Sequence, residues 1–188
     1  MPTMPITQAQ PKCILEAANL HDQSQVDQLL RQRKICGWKT RPSDMVSWKA
    51  RAEARTTTLF WIKPIANPDL RAGHVSLDRI SDDPSSLKIA DLFILPEHRG
   101  GGLARAAFQA VEKMATTEPK RYSEDEEMRL EYNKLTGTWP SQKGATNEDW
   151  YARMGYVTYE EKPAYPERES RPTGRFLLAS FMKKEIRR

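Results

Sequence analysis

The residues best suited to chemistry in this 188-residue chain are Arg99-Gly100-Gly101-Gly102-Leu103-Ala104-Arg105. Glycines carry no Cβ, so a ligand can lie against their backbone. A helix opening straight after them would offer amides without intrahelical partners at the positive end of its dipole. Arg99 and Arg105 add charge, and the natural occupant of such a loop is a phosphate or pyrophosphate. The two commonest phosphate loops do not fit. No Lys-Ser/Thr follows the glycines as Walker A needs, and Arg105 stands where a dinucleotide fingerprint has its third glycine. A second candidate is Asp91, a carboxylate inside the apolar run Ile89–Leu95, where it must be hydrogen-bonded or solvated. His98 approaches the loop, and His74 sits in an alternating stretch from which it could face a cleft.

These residues need elements to position them. Leu87–Leu95 is the strongest strand of the chain, a near-continuous apolar run of the kind buried on both faces, and Pro96 ends it. After the glycines, Leu103, Ala106, Ala107, Ala110, Val111 and Met114 recur at helical spacing, so the order is buried strand, glycine loop, amphipathic helix. Upstream, Lys12–Ala18 reads as a strand. Asp22 opens a helix through a capping box with Gln25, and Gly37 stops it. Ser43 caps a second helix after Pro42, with Met45, Trp48 and Ala52 on one face. Thr56–Ile65 and Gly73–Ile80 read as strands, and Asp82–Ser85 as a hairpin turn. Downstream, Met128–Asn133 is assigned as a strand, although Ser123–Glu127 could equally begin a helix that runs through it. Asn147 caps a short helix ended by Gly155. Tyr156–Glu160 is a strand, Pro163–Gly174 a loop, and Arg175–Lys183 the last strand.

Composition narrows the class. Hydrophobic residues make up 38% and charged residues 29%, with a mean hydropathy of −0.73, which suits one polar globular domain over 1–188 with a flexible tail at 1–11. No apolar run is long enough to cross a bilayer, and Met1 to Pro11 lacks the basic and apolar regions of a secretory signal. Two cysteines, Cys13 and Cys36, without a CxxC read as buried free thiols of a reducing, cytoplasmic setting, the nucleus included. The three histidines are scattered, so no metal is expected. The net charge of +5 permits a nucleic-acid partner, but no basic face interleaved with aromatics points to one. The Ser123–Glu127 run is a solvated face or an acidic rim for a cationic substrate.

Arg99-Gly100-Gly101-Gly102-Leu103-Ala104 matches Arg/Gln-x-x-Gly-x-Gly/Ala, and Leu92 to Gly100 resembles the strand-Pro-x-x-Arg-Gly approach of the GNAT superfamily of N-acyltransferases. Trp150 to Tyr156 resembles that family's Tyr-x-x-x-Gly-Phe/Tyr motif, the element order before the loop agrees with it, and the resemblance covers Lys12 to Glu185, with a long segment before Tyr151 as a departure. The resemblance implies an α/β fold with a mixed, mostly antiparallel sheet splayed into a V and flanked by helices. It implies acetyl-CoA as co-substrate. Backbone groups of Phe93, Ile94 and Leu95 would hold the pantetheine arm and polarise the thioester. The amides of Gly100, Gly101, Gly102, Leu103 and Ala104, with Arg99 and Arg105, would hold the pyrophosphate. Tyr151 would protonate the departing thiolate, and Asp91 would stand where polyamine acetyltransferases place an acidic residue facing the substrate. The acceptor would be the primary amine of a small molecule or peptide attacking directly in a ternary complex, and the resemblance leaves room for a homodimer. A non-catalytic acyl-CoA-binding module on the same fold is the alternative. The family's Asn seven residues before the tyrosine is Gly144 here.

Overall fold

A computed structural model describes residues 12–80, 82–117, 128–136, 147–166 and 176–186. The elements in chain order are β1 (Cys13–Ala17), α1 (Gln23–Cys36), α2 (Pro42–Glu53), β2 (Thr57–Pro64), β3 (Gly73–Ile80), β4 (Asp83–Ile94), a 3-10 turn (Pro96–His98), α3 (Leu103–Thr117), β5 (Met128–Thr136), α4 (Asn147–Ala152), β6 (Val157–Pro166) and β7 (Phe176–Ile186). The strands form one sheet in the order β1-β2-β3-β4-β5-β7-β6. Every pairing is antiparallel except β4 with β5, which is parallel.

The sheet is covered on both faces, and β2 shows why. Its alternating side chains serve two cores: Phe60 and Ile62 join the α3 side, Leu59 and Trp61 the side of α1 and α2. On the α3 side, Leu103, Ala107, Phe108, Val111 and Ala115 bury against Ile62, Val75, Leu77 and Ile89. On the other side, Leu29 of α1 with Met45 and Trp48 of α2 close over Leu59 and Trp61.

Several boundaries differ from the sequence reading, each for a local reason. Arg41, not Ser43, is the N-cap of α2; Pro42 occupies the first helical position, and the Asp44 carboxylate accepts from the Arg41 amide at 2.9 Å. Asp22 does cap α1, accepting from the Ser24 amide at 2.9 Å, but Gln25 accepts from the Asn19 amide and the Trp61 indole instead of closing the box. Of the expected Asp82–Ser85 turn, Asp83 to Ser85 belong to β4, since Ile80 already pairs with Asp83. β6 runs on through Pro163 to Pro166 where a loop was expected. It is the last strand of the order, and an edge strand tolerates a residue without an amide proton. Cys13 is buried, whereas Cys36 is only half-buried; both are free thiols. The Met128 strand is present, wedged between β4 and β7. The 1–11 tail, the Ser123–Glu127 run and Gly144 lie outside the described residues.

Candidate active site

The site starts from an irregularity in β4. His74 pairs with Phe93 and Ser76 with Ala90, so Val75 alone faces Asp91 and Leu92. This one-residue bulge puts Asp91 in the left-handed region at φ 51°. It coincides with a parting of the sheet. β5 pairs with β4 only from Ser86 to Ile89, although β4 continues to Ile94 and β5 to Thr136. Past Ile89 the two strands diverge, which is the V expected, and the β4 edge there has no strand across from it among the described residues.

Strand alternation decides which of Phe93, Ile94 and Leu95 can serve that open edge. The Leu95 amide donates to the Ala72 carbonyl at 2.9 Å. The Phe93 carbonyl lies so close to Gly73 that a Cβ there would come within 2.1 Å of it. Both groups therefore face β3, and the intervening Ile94 turns its amide to the cleft. The Ile94 carbonyl accepts from Arg99 Nε at 2.9 Å. Arg99 thus ties the loop to the strand end, with its guanidinium 5.5 Å over the Phe93 ring.

The glycine loop has the shape its sequence promised. Gly100 and Gly102 adopt φ values of 86° and 79°. A Cβ on Gly100 or Gly101 would meet nothing within 4 Å, so the space beside them is what a larger residue would fill. The Gly102 carbonyl accepts from the Ala106 amide at 3.0 Å and opens α3, leaving the Leu103, Ala104 and Arg105 amides ahead of the first helical carbonyl. Arg105 is exposed on the first turn. Lys12, which the sequence reading passed over, extends from the start of β1 and donates to the Gly101 carbonyl at 3.2 Å. Lys12, His98, Gly101 and Leu103 border a shallow pocket of about 480 Å³. A pyrophosphate-bearing ligand such as CoA fits this donor set: open glycines, unpaired helix amides and a lysine.

Tyr151 stands on the α3 side of the sheet. It is buried, with ring centroids 4.7 Å from Trp150, 5.3 Å from Phe108 and 6.2 Å from Tyr156. The left-handed Gly155, at φ 89°, turns the chain so that the Tyr156 amide returns to the Tyr151 carbonyl at 3.2 Å. Burial, with the nearby Glu112 charge, pushes the Tyr156 phenol far above its ordinary value. Among the described residues, its hydroxyl has no hydrogen-bond partner.

On the opposite face, under α1 and α2, lies a polar cluster no motif announced. His74 is fully buried. Its Nδ1 lies 2.8 Å from Gln32 Oε1 and its Nε2 3.2 Å from Arg33 Nη1. Because the guanidinium can only donate, Nε2 accepts and Nδ1 carries the proton. Burial, with the Arg33 charge, lowers this imidazole to about 3. Arg33 also donates from Nε to the Trp38 carbonyl at 2.8 Å and approaches Asp91 at 3.6 Å. Lys39 binds both Asp91 oxygens, at 2.8 and 2.6 Å. Burial alone would raise the Asp91 carboxyl, but the Lys39 and Arg33 charges and the Lys39 hydrogen bond overcome it and hold it below its ordinary value. Asp91 is thus ion-paired to Lys39 and Arg33 at the bulge. Trp48 and Trp61 close the cluster, each 6.4 Å edge-on to His74. Among the described residues, no three His, Cys, Asp or Glu side chains gather as metal ligands.

Comparisons with known proteins agree with this fold. Spermidine N-acetyltransferase from Vibrio cholerae, solved in complex with CoA and spermine, superposes with a TM-score of 0.64 at 17% identity, covering 94% of this chain and 96% of that one. A provisionally named acetyltransferase from Acinetobacter baylyi ADP1 gives 0.65 at 13% identity, with 93% of each chain covered. A protein provisionally named as a phosphinothricin N-acetyltransferase gives 0.66 at 14% identity, over 94% of this chain and 99% of that one. At such identities the likeness is one of fold. No curated protein sequence matches the chain. The sequence profile of the acetyltransferase (GNAT) family, however, matches residues 24–124, more than half of the 188. With the bulged strand, the splayed sheet and the glycine loop in place, the chain belongs to the acetyltransferase (GNAT) family.

Proposed function

We propose that the protein transfers the acetyl group of acetyl-CoA to the primary amine of a small molecule or peptide, by direct attack in a ternary complex. The observation that carries this is the meeting of two features at one strand end: the glycine cradle at the start of α3 and the β4 edge opened by the bulge. Acetyl-CoA supplies an activated acetyl thioester. The amides from Gly100 to Arg105, with Lys12, hold its pyrophosphate, and Arg99 fixes the loop against the strand. The Ile94 amide, turned to the cleft, hydrogen-bonds the thioester carbonyl and stabilises charge developing on that oxygen. Tyr151 donates the proton that the departing sulfur takes up. Asp91, engaged by Lys39 and Arg33, keeps the bulge in shape while the amine gives its proton to water.

The neighbours are named for amines as different as spermidine and, provisionally, phosphinothricin, so the reading extends to an amine acceptor without choosing between them. It also takes residues 1–188 as one catalytic domain. Free thiols at Cys13 and Cys36 suit the reducing cytoplasm. The Vibrio cholerae enzyme forms a dodecamer, and self-association of this chain, as a homodimer or larger, belongs to the same reading. The test is a thermal-shift titration with acetyl-CoA followed by thiol detection across an amine panel. Stabilisation together with amine-dependent thiol release supports transfer. Stabilisation with no release from any amine would leave a CoA-binding module instead.

A further inference from the structure

We infer that the acceptor carries a negative group near its amine, as an amino acid does, and that Lys39 receives it. This rests on the acetyltransfer reading above. Among the described residues, three non-glycine residues have positive φ: Lys39 at 52°, Arg55 at 56° and Asp91 at 51°. Two of the three are bonded to each other. Such backbone geometry is strained and persists where the surroundings over-determine it, commonly at functional sites. Lys39 lies in the link between α1 and α2, and Asp91 lies in the bulge of β4, 52 residues away. Their bond fixes that link over the stretch of β4 that leads to Ile94.

The location follows from the two faces of the sheet. The glycine cradle opens α3, and α3 and Tyr151 occupy one face. An acceptor attacking a thioester held at the β4 edge then approaches from the other face, where α1, α2 and their link stand. That wall holds Arg33, Lys39 and Asp91 with a neutral His74, one positive charge in excess. Arg33 is sealed in, with its side chain 4% exposed, and is spent on Trp38, His74 and Asp91. Lys39 keeps 41% of its side chain exposed, and its ammonium, 5.1 Å over the Trp48 ring, has three protons of which Asp91 takes two. The link Gly37-Trp38-Lys39-Thr40-Arg41 adds a second basic residue, Arg41, whose amide is capped by the Asp44 carboxylate. An acceptor ammonium therefore meets, in this cluster, a carboxylate already paired to two cations. A carboxylate, phosphonate or similar anion beside the amine finds a held cation. A polyamine is the wrong class for this wall.

The test uses the intact protein and acetyl-CoA with amines in matched sets: amino acids, the carboxamides of the same amino acids, and spermidine. Amino acids should exceed their carboxamides by about tenfold or more in kcat/KM, the usual weight of a charge-assisted hydrogen bond. The preference should shrink as salt is raised. In Lys39→Gln, checked for folding by its melting curve, the acid-to-amide ratio should fall toward one. Equal use of carboxamides, or preference for spermidine, with acetylated product formed, would overturn this inference and leave acetyltransfer standing. No acetylation of any amine despite acetyl-CoA binding would remove the acetyltransfer reading and this inference with it.

Discussion

Gly73→Ala puts the geometry of the β4 end to a quantitative test. A Cβ on residue 73 would lie 2.1 Å from the Phe93 carbonyl oxygen, 3.0 Å from Ile94 Cδ1 and 3.1 Å from Ile94 Cα. Non-bonded atoms pack best at about 3.5–4.0 Å, so the strand end must withdraw by on the order of 1 Å. Two of the three obstacles are backbone, which cannot swing aside as a side-chain tip can. Overpacking of this kind costs about 1–3 kcal/mol. For a domain of this size each kcal/mol lowers Tm by about 2–4 °C. The withdrawal falls on Phe93 and Ile94, which flank the reacting carbonyl in the proposed mechanism, and a displacement near 1 Å can cost about a hundredfold in rate. The glycine cradle is not touched, so CoA affinity should fall far less than kcat/KM. The assays are a melting curve, a CoA titration and amine-dependent thiol release on the same preparation. A Gly73→Ala protein with Tm within about 1 °C of the parent and kcat/KM within about twofold would show that Gly73 does not set this strand end.

Other perturbations separate the parts of the site. Gly101→Ala meets no atom within 4 Å, so stability should hold while CoA binding weakens by about tenfold, read by titration, because the new methyl stands in the cradle. Lys12→Met should weaken CoA by about three- to tenfold, most at low salt, in the same titration. The His74 imidazole is lowered from an unfolded value near 6.5 to about 3, so between these the unfolded chain binds the extra proton and stability falls as pH falls. The unfolding free energy from urea titrations should decline through that window by up to about 1.4 kcal/mol per pH unit, and His74→Gln should flatten the decline. Asp91, with its carboxyl lowered, contributes stability above its unfolded value that is lost only at more acid pH. Tyr151→Phe should lower kcat by about a hundredfold while leaving CoA affinity nearly intact, measured by steady-state kinetics beside titration.

What could be read from the sequence was local and apolar. The α3 stripe, the Leu87–Leu95 run and the glycines between them state their conformations within a few residues, and together they locate the cradle. The polar half of the site was hidden. His74, Ser76 and Asp78 alternate with Val75 and Leu77 as a solvated face would, yet all three are buried, because α1 and α2 close over them. Nothing near His74 in the sequence reveals Gln32 and Arg33, 42 and 41 residues upstream. Lys12 and Lys39 reach the site across 89 and 52 residues, distances over which spacing carries no signal. Pro163 was a fair sign of a loop, and only the edge position of β6 makes it acceptable in a strand. Asp91 was visible as a carboxylate in an apolar strand; its conversion into an ion-pair anchor depended on partners that only the fold supplies.

The central claim is tested most directly by incubating the protein with acetyl-CoA and an amine and following both free thiol and the mass of the amine. The account predicts thiol release that requires the amine, saturates in both substrates, and yields one acetylated amine per thiol. Thiol release independent of every amine offered, or acetyl-CoA binding with neither thiol nor acetylated product, would contradict it.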